Sequence, residues 1–485
     1  MPAFIKFKRI LMSFINLRNR YLAGKIHFIG IGGIGMSAVA AILKRIGCDV
    51  CGSDLSTNTN TKNLEHAGIK CSVGHKEENI NQDIVLVVET SIVKPNNPEI
   101  LKAKSLNIPI IRRADMLAQI MKEKLGITVA GTHGKTSTTA MIAVLLESAG
   151  LDPTVINGGI INYFSSNSKF GEGKFLVAES DESDGSFVDL PSFIGVVNNI
   201  EPEHMEFYGG DFEMVKSYYQ KYINQIPANG LAALCIDDLE VKKIYDSIGT
   251  KSNIVSLSIQ DPNADFFGFN ISFDIYGLQF CVRIKKTGHV IEGIRMPIYG
   301  IHNVKNALAP VSIGIFLGLS EEQIKQGLSK YSGVKRRFSK VGEFGGITII
   351  DDYGHHPTEI KAVFKAAKEI LPAGHKLIVV FQPHKYSRTR DLFTEFCNAF
   401  FDVDVVVIAD IYSAGQEPIV GINQDSLIAG IKNAGHKNVI KLTSESDLPN
   451  IIQQQAKSGD MVICIGAGSI SDWANDLPEK LKKIL

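Results

Sequence analysis

Net charge is missing from this chain: 51 lysines and arginines balance 51 aspartates and glutamates, so nothing global draws it to nucleic acid or to an acidic membrane surface. Also missing is any uninterrupted apolar run of the ~20 residues that cross a bilayer, so no stable membrane insertion is expected. Cysteine is sparse, seven scattered in 485 residues. An odd, dispersed set is not the framework of a disulfide-stapled secreted protein and points to a reducing cytoplasm. Cys48 and Cys51 do form a C-x-x-C within "GCDVCGSD". No second pair completes a zinc site, and a redox pair wants its first cysteine at a helix N-terminus; these two read as residues in or beside a buried strand. Low-complexity tracts and short tandem repeats are absent too, which removes the solenoids. Small-molecule chemistry is what these absences leave.

What is present begins with a basic extension, residues 1–22. "MPAFIKFKRILMSFINLRNR" carries five basic residues and no acidic one. Its apolar stretch is broken by charge and lacks a small-residue cleavage site, so no secretory signal is expected here. It reads as a surface helix or ragged terminus, with an amphipathic membrane contact as the lesser alternative. From Lys25 onward, short Val/Ile-rich runs alternate with longer helical patterns, as in parallel sheets with crossover helices. At ~150 residues per domain the length suggests three domains, and three blocks are visible: 23–122, 123–333 and 334–485. The fold class expected is α/β. The first block is Rossmann-like, with "IHFIGIG", "CDVCGSD" and "DIVLVVE" as strands and "MLAQIMKEKLG" as the helix leading out. The central block, which carries the glycine turn Gly131–Thr136 after its first strand, is expected to be a P-loop-type ATPase domain, with "ITVAG", "KFLVAES", "FIGVVNNI" and "LAALCIDD" as strands. Extra antiparallel strands follow between Ala264 and Gly300, turning at Tyr276-Gly277 and Thr287-Gly288, before helices from Asn303 to about Gly318 and on to Tyr331. The third block is again Rossmann-like, with "ITIIDD", "KLIVVF", "VDVVVIAD" and "DMVICIGAG" as strands.

Two glycine loops carry chemistry. Gly30, Gly32 and Gly35, with Gly33 among them, follow a strand and open a helix, and Asp54 closes the next strand nineteen residues after Gly35. Glycines let the backbone approach a pyrophosphate, the helix N-terminus offers free N–H groups, and the carboxylate accepts from a ribose. A nicotinamide dinucleotide and a UDP-sugar both satisfy that fingerprint. The second loop, Gly131-Thr132-His133-Gly134-Lys135-Thr136, then Ser137, has Val129 where the usual phosphate loop has its first glycine. Its N–H groups, the Lys135 ammonium and the Thr136 hydroxyl suit a triphosphate with Mg2+. "KFLVAESDESDGSF" ends a strand in Glu179, Asp181, Glu182 and Asp184. Glu179, in line with the strand, reads as a metal ligand; for the other three a solvated acidic turn is equally open. His204 lies among Glu201, Glu203 and Glu206 on the loop after the next strand, where a metal ligand and a salt-bridged surface imidazole are even readings.

"GTHGKTSTT", "AESDESDGSF", "NIEPEHMEFY", "GIHNVKNALA", "GVKRRF" and "DDYGHHPTEI" stand here in the order found in the Mur ligases of peptidoglycan synthesis, and the chain resembles that family over most of its length. Within the family, "IGIGGIGMSAVA" and "FQPHKYSRTRDLF" resemble the branch that joins L-alanine to UDP-N-acetylmuramate. The resemblance implies a three-domain cytoplasmic ligase, a monomer or homodimer, that uses ATP and two Mg2+ ions to turn a substrate carboxylate into an acyl phosphate for an amine to attack. It implies a first block that holds the UDP-substrate through Gly30, Gly32, Gly33, Gly35 and Asp54, rather than NAD. Lys135 is then expected to stabilise the transferring phosphoryl group, Thr136 and Glu179 to hold the first Mg2+ and His204 the second. Asn303 and Asn306 are expected near the adenine, Arg337 on the ATP phosphates with Arg336 in reserve, and Asp352 on the ribose. Arg388 is expected to clamp the amino-acid carboxylate, with His384 and Tyr353 beside it. The family has arginine where this chain has Lys385, which keeps the charge and loses the planar fork. Some relatives carry a carbamylated lysine at the second metal; neither Lys216 nor Lys221 matches it. A sister ligase that attaches a recycled tripeptide shares the first loop and central motifs, and "PHKYSRTR" favours the alanine branch. A folylpolyglutamate synthetase-like enzyme lacks the leading block, a dehydrogenase leaves Lys135, Glu179 and the third block idle, and a non-catalytic nucleotide-binding module leaves the metal candidates idle.

Overall fold

Alternation of β-branched runs with amphipathic helices produces three sheets, each built around parallel strands. The computed structural model describes residues 15–90, 93–248, 253–274 and 276–483. These form two compact units. One gathers the residues up to Asn270 with Phe280–Arg295 and Lys305–Ser332; the other gathers Ile271–Gln279, Met296–Val304 and Gly333–Leu485.

The first sheet is wholly parallel. Its strands β1 (Lys25–Ile29), β2 (Asp49–Asp54), β3 (Lys70–Val73), β4 (Ile84–Glu89) and β5 (Ile110–Arg112) lie in the order β3-β2-β1-β4-β5. The order reverses beside β1, so the carboxyl end of β1 is a topological switch point, where open α/β sheets bind ligands. Helix Ile34–Ile46 starts there and buries Met36, Val39, Ile42, Leu43 and Ile46, ending at Gly47 with φ +98°. Before β1, the described part of the basic extension is a helix, Ile15–Arg20, and Leu17 and Tyr21 are buried in this core; residues 1–14 lie outside the described residues. Cys48 and Cys51 fall beside and within β2, and burial pushes both thiols up to about 11, which suits inert residues rather than a redox pair.

The second sheet comprises β6 (Leu125–Ala130), β7 (Thr154–Ile161), β8 (Ser166–Lys169), β9 (Phe175–Glu179), β10 (Ser192–Val197), β11 (Leu231–Cys235), β12 (Ile254–Ser258), β13 (Phe266–Asp274), β14 (Gly277–Ile284) and β15 (Val290–Met296). Their order is β15-β14-β13-β12-β11-β10-β6-β9-β7-β8. Strand β6 is central, parallel to β10 on one side and β9 on the other. The helix read as "MLAQIMKEKLG" runs instead over Arg113–Met121, because Leu125 and Gly126 enter β6 and pair with Phe175 and Leu176. First and second sheets share one core, in which Ile156, Leu176, Ala178 and Leu190 pack with Met36, Met116 and Ile120.

The third sheet holds β16 (Ser339–Phe344), β17 (Ile347–Asp352), β18 (Leu377–Phe381), β19 (Val405–Ile408), β20 (Val439–Lys441) and β21 (Met461–Ile465), in the order β16-β17-β21-β18-β19-β20. Among the described residues only the β16–β17 pair of this sheet is antiparallel, a hairpin turning on Gly345 and Gly346, both at positive φ where side chains are disfavoured. Strands β18 and β21 are buried at every residue, as strands covered on both faces must be. Phe364, Phe381, Phe396 and Phe400 fill one face, each contributing roughly 1.5–3 kcal/mol by burial. Among the described residues no helix is long and apolar enough to cross a membrane.

Candidate active site

The first glycine loop leaves β1 at Gly30, whose φ of +78° a side chain rarely adopts. Gly30 and Ile31 donate their N–H groups to Ser53 O at 2.8 and 2.9 Å, and Gly32 donates to Asp54 Oδ2 at 2.8 Å. Asn60 Nδ2 donates back to Gly32 O at 2.8 Å. A Cβ on Gly32 would stand 2.6 Å from Asn58 Nδ2 and 2.9 Å from Asp54 Oδ2, so the close turn needs glycine. Gly33 precedes the first turn of helix Ile34–Ile46, in which Gly35 lies. Asp54 and the four glycines thus come together, and what the carboxylate visibly does is brace the turn.

The second loop links β6 to helix Lys135–Ser148. Gly131 and Gly134 take φ of +138° and +79°, and neither backbone tolerates a side chain cheaply. The loop is held by the segment after β10: Asn199 Oδ1 accepts from His133 N–H at 2.7 Å, Thr132 Oγ1 accepts from Glu201 N–H at 2.8 Å, and Asn198 Nδ2 donates to Thr138 Oγ1 at 3.1 Å. Glu201 faces His133 Nε2 at 3.3 Å. Lys135 Nζ curls over its own loop, donating to Gly131 O and, at 3.0 Å, to Thr132 O, and meets Glu182 at 2.8 Å. Burial works to lower the lysine, and Glu182 and Asp181 more than reverse it, so the ammonium stays charged. Thr136 is buried in the first turn and Ser137 half-buried. Asn306 sits against the loop: a Cβ on Gly134 would lie 2.7 Å from its Oδ1.

The acidic segment is solvated only in part: Asp181 and Asp184 are half-buried, whereas Glu182 is sealed. Glu182 is 3% exposed, and Tyr208 Oη donates to its carbonyl at 2.5 Å. Asp181 accepts from Arg113 Nη2 at 3.1 Å, and Asp184 Oδ1 accepts from Ser186 N–H at 3.1 Å. Glu179, the last residue of β9, pairs in register with Val129 and accepts from Gly158 N–H at 2.6 Å. His204, at φ +54°, joins Glu182 and Glu203, with one ligand atom from each lying within 4.8 Å of the others. Two carboxylates and an imidazole suit a divalent cation. Glu179 is not a member of that cluster. Lys216 is engaged with Glu213 and Glu240.

In the second unit, Arg336 donates to Gly466 O at 2.9 Å. The Arg336 and Arg337 guanidinium carbons lie 4.8 and 5.3 Å from the centre of the Tyr353 ring, within cation–π range. Arg337 also faces Glu359 at 3.7 Å. Asp352, 4% exposed, accepts from Phe338 N–H and Gly354 N–H, both at 2.7 Å; it ties the arginine turn to β17, and burial, partly offset by Arg337, pushes its carboxyl up to about 6. The ring of His355 is edge-on to Tyr353 at 5.2 Å and 5.8 Å from His384, which stacks on Tyr412 at 5.6 Å. Arg388 Nη1 lies 3.2 Å from His384 Nδ1. Since guanidinium only donates, Nδ1 is the acceptor and the proton sits on Nε2. Burial, then His355, Arg388, Lys385 and Arg336, push His384 down to about 3, so it is neutral at pH 7. Tyr353, His384 and Arg388 are therefore brought together. Lys385 adopts φ +71° and donates its N–H to Tyr412 O at 2.8 Å. Asn303, in this unit, donates to Tyr299 O at 2.6 Å.

Asn198, Asn199, Arg113, His355 and Tyr412 become site candidates only in the folded chain, which also takes Glu182 out of solvent. The doubled asparagine directly after an apolar strand was the available signal, since Asn serves loop backbones; nothing local distinguishes Glu182 from Asp184.

Comparison with known proteins bears on the whole chain. Residues 25–125 match the model described as "Mur ligase family, catalytic domain", 129–314 the "Mur ligase middle domain" and 336–468 the "Mur ligase, glutamate ligase domain". A UDP-N-acetylmuramate--L-alanine ligase of Rhodospirillum rubrum is 47% identical over 465 residues, 95% of each chain, and one of Rhodospirillum centenum is 45% identical over 462, 94% of each. The crystal structure of UDP-N-acetylmuramate-alanine ligase MurC from Thermotoga maritima is similar with TM-score 0.81 at 28% identity, covering 95% of this chain and 100% of the other. A murein peptide ligase from Psychrobacter arcticus shares the fold, with TM-score 0.71 at 24% identity over 95% and 99% of the chains.

Proposed function

The chain belongs to the Mur ligase family, and from that membership we propose that it joins L-alanine to the muramyl carboxylate of UDP-N-acetylmuramate, converting ATP to ADP and phosphate, in the cytoplasm. The observation that carries the reading is the phosphate loop whose lysine meets Glu182 at 2.8 Å, with Glu182 in turn part of a donor set fit for a divalent cation. That arrangement is built for phosphoryl transfer rather than for hydride chemistry. Blocks 23–122, 123–333 and 334–485 serve the UDP-substrate, ATP, and ATP with the amino acid.

A carboxylate is a poor electrophile. The γ-phosphoryl group passes from ATP to a carboxylate oxygen, giving acyl phosphate and ADP. The alanine amine then attacks the acyl carbon, inorganic phosphate leaves with the C–O bond, and the nitrogen gives up its proton. Lys135 meets the charge on the transferring group, with Arg337 as a second cation, and the N–H groups from Gly131 to Ser137 cradle the phosphates. Asn303 and Asn306 serve the adenine end and Asp352 the ribose. Thr136 and Glu179 would hold one Mg2+, and His204 with Glu203 and Glu182 a second, and these ions would supply charge neutralisation for phosphoryl transfer. Gly30, Gly32, Gly33, Gly35 and Asp54 hold the UDP-substrate. Arg388 takes the alanine carboxylate, and neutral His384 with Tyr353 walls the site without repelling the amine.

A coupled phosphate-release assay over a panel of amino acids and peptides tests this. Release is expected only with UDP-N-acetylmuramate, Mg2+ and L-alanine together. Faster turnover with a tripeptide overturns the substrate, and reduction of NAD without ATP overturns the class.

A further inference from the structure

We propose that Arg113 is a positioning residue that ties the first glycine loop to the phosphate loop through Asp181, so that nucleotide affinity at Gly131–Thr136 depends on a side chain from the other sheet. The proposal rests on the reading of that loop as the ATP site.

Arg113 is the first residue of helix Arg113–Met121, directly after β5. Its guanidinium lies against Gly35 in the first turn of the helix that the first loop opens. A Cβ at Gly35 would stand 3.3 Å from Nη1 and 3.4 Å from Cδ, so the arginine packs closely over this glycine. From there Nη2 reaches Asp181 Oδ2 at 3.1 Å. Asp181 is held by Ser183 N–H at 3.1 Å, and the next residue, Glu182, grips Lys135. Two adjacent carboxylates thus answer to two cations, Asp181 to Arg113 and Glu182 to Lys135. Two further ties keep the geometry fixed: Asn167 Nδ2 donates to Ile34 O at 2.7 Å, and the two sheets share one apolar core.

Without Arg113, the Asp181 carboxylate loses its guanidinium partner and stands beside the Glu182–Lys135 pair. The carboxylate then competes with phosphate for the ammonium and repels the incoming anion. A neutral residue at 181 removes that competition.

The experiment measures affinity for a non-hydrolysable ATP analogue with Mg2+ by calorimetry, with no other substrate present, for the wild type, Arg113→Ala, Asp181→Asn and the double variant. Arg113→Ala is expected to weaken binding about fivefold, and the double variant to return to within about twofold of Asp181→Asn. A merely structural arginine lowers Tm in the double variant as well, without that recovery. Unchanged affinity in Arg113→Ala, or a double variant as weak as Arg113→Ala, overturns the coupling. A wild type that binds no nucleotide overturns the phosphate-loop reading itself. Arg113→Gln replaces Arg113→Ala if circular dichroism finds the latter unfolded.

Discussion

Lys135 and Glu182 form a pair whose two members answer different questions. The lysine faces the nucleotide loop, and the glutamate is almost wholly buried beside it. Lys135→Ala is expected to reduce turnover by more than ~100-fold, the scale of losing a charge-stabilising donor. It also strands a buried carboxylate, which costs about 3 kcal/mol. Lys135→Ala/Glu182→Gln should recover most of that stability in urea unfolding while remaining inactive; recovered turnover would remove Lys135 from the chemistry. Asp352 offers a pH test. Its carboxyl, raised by burial to about 6, keeps a proton in the folded chain that the unfolded chain has released, so its contribution is complete below about pH 4 and is lost as pH rises to about 6. A shift of about two units corresponds to ~3 kcal/mol. The unfolding free energy of the wild type minus that of Asp352→Asn should fall by about that much between pH 4 and pH 7, and a flat difference would show the carboxyl to be unshifted.

At the level of elements, the phosphate loop depends on backbone that only glycine adopts readily. Gly134 combines φ +79° with a Cβ position 2.7 Å from Asn306 Oδ1. Gly134→Ala is expected to cost ~1–2 kcal/mol in left-handed strain alone and to weaken binding of an ATP analogue at least tenfold by displacing Asn306; calorimetry that finds wild-type affinity would show that the loop tolerates another path. The strands were the legible part of these elements, because fully buried parallel strands announce themselves as unbroken Val/Ile runs. Short or partly exposed strands were not: β3, β8 and β16 carry polar residues on half-buried positions, β5 is only three residues long, and pairing partners distant in sequence make them strands.

The whole molecule is organised by its cores more than by its sequence blocks. The apolar clusters of the third sheet draw every member from residues beyond Gly333, whereas the first sheet is closed by Ile156, Leu176, Ala178 and Leu190 of the second. A fragment of residues 334–485 is therefore expected to unfold cooperatively by circular dichroism. A fragment of residues 1–122 should bind a hydrophobic dye and melt without a sharp transition, since that shared face is exposed. A sharply melting, dye-silent fragment 1–122 would show the shared contacts to be dispensable.

The alternating blocks and both glycine loops were determined by sequence alone, because glycine turns at strand ends and periodic apolar runs are local signals read without partners; the family and the class of reaction came from the resemblance carried by six ordered motifs. Which acids and asparagines serve the loops was decided by tertiary structure. Glu182 and Asp184 are two residues apart in the same acidic run, yet one is sealed under Tyr208 against Lys135 and the other caps a turn. Arg113 meets Asp181 across 68 residues of chain. Charge pairing falls off within a few ångströms once water is present, so it is fixed by where folding puts two side chains and not by how far apart they stand in the sequence.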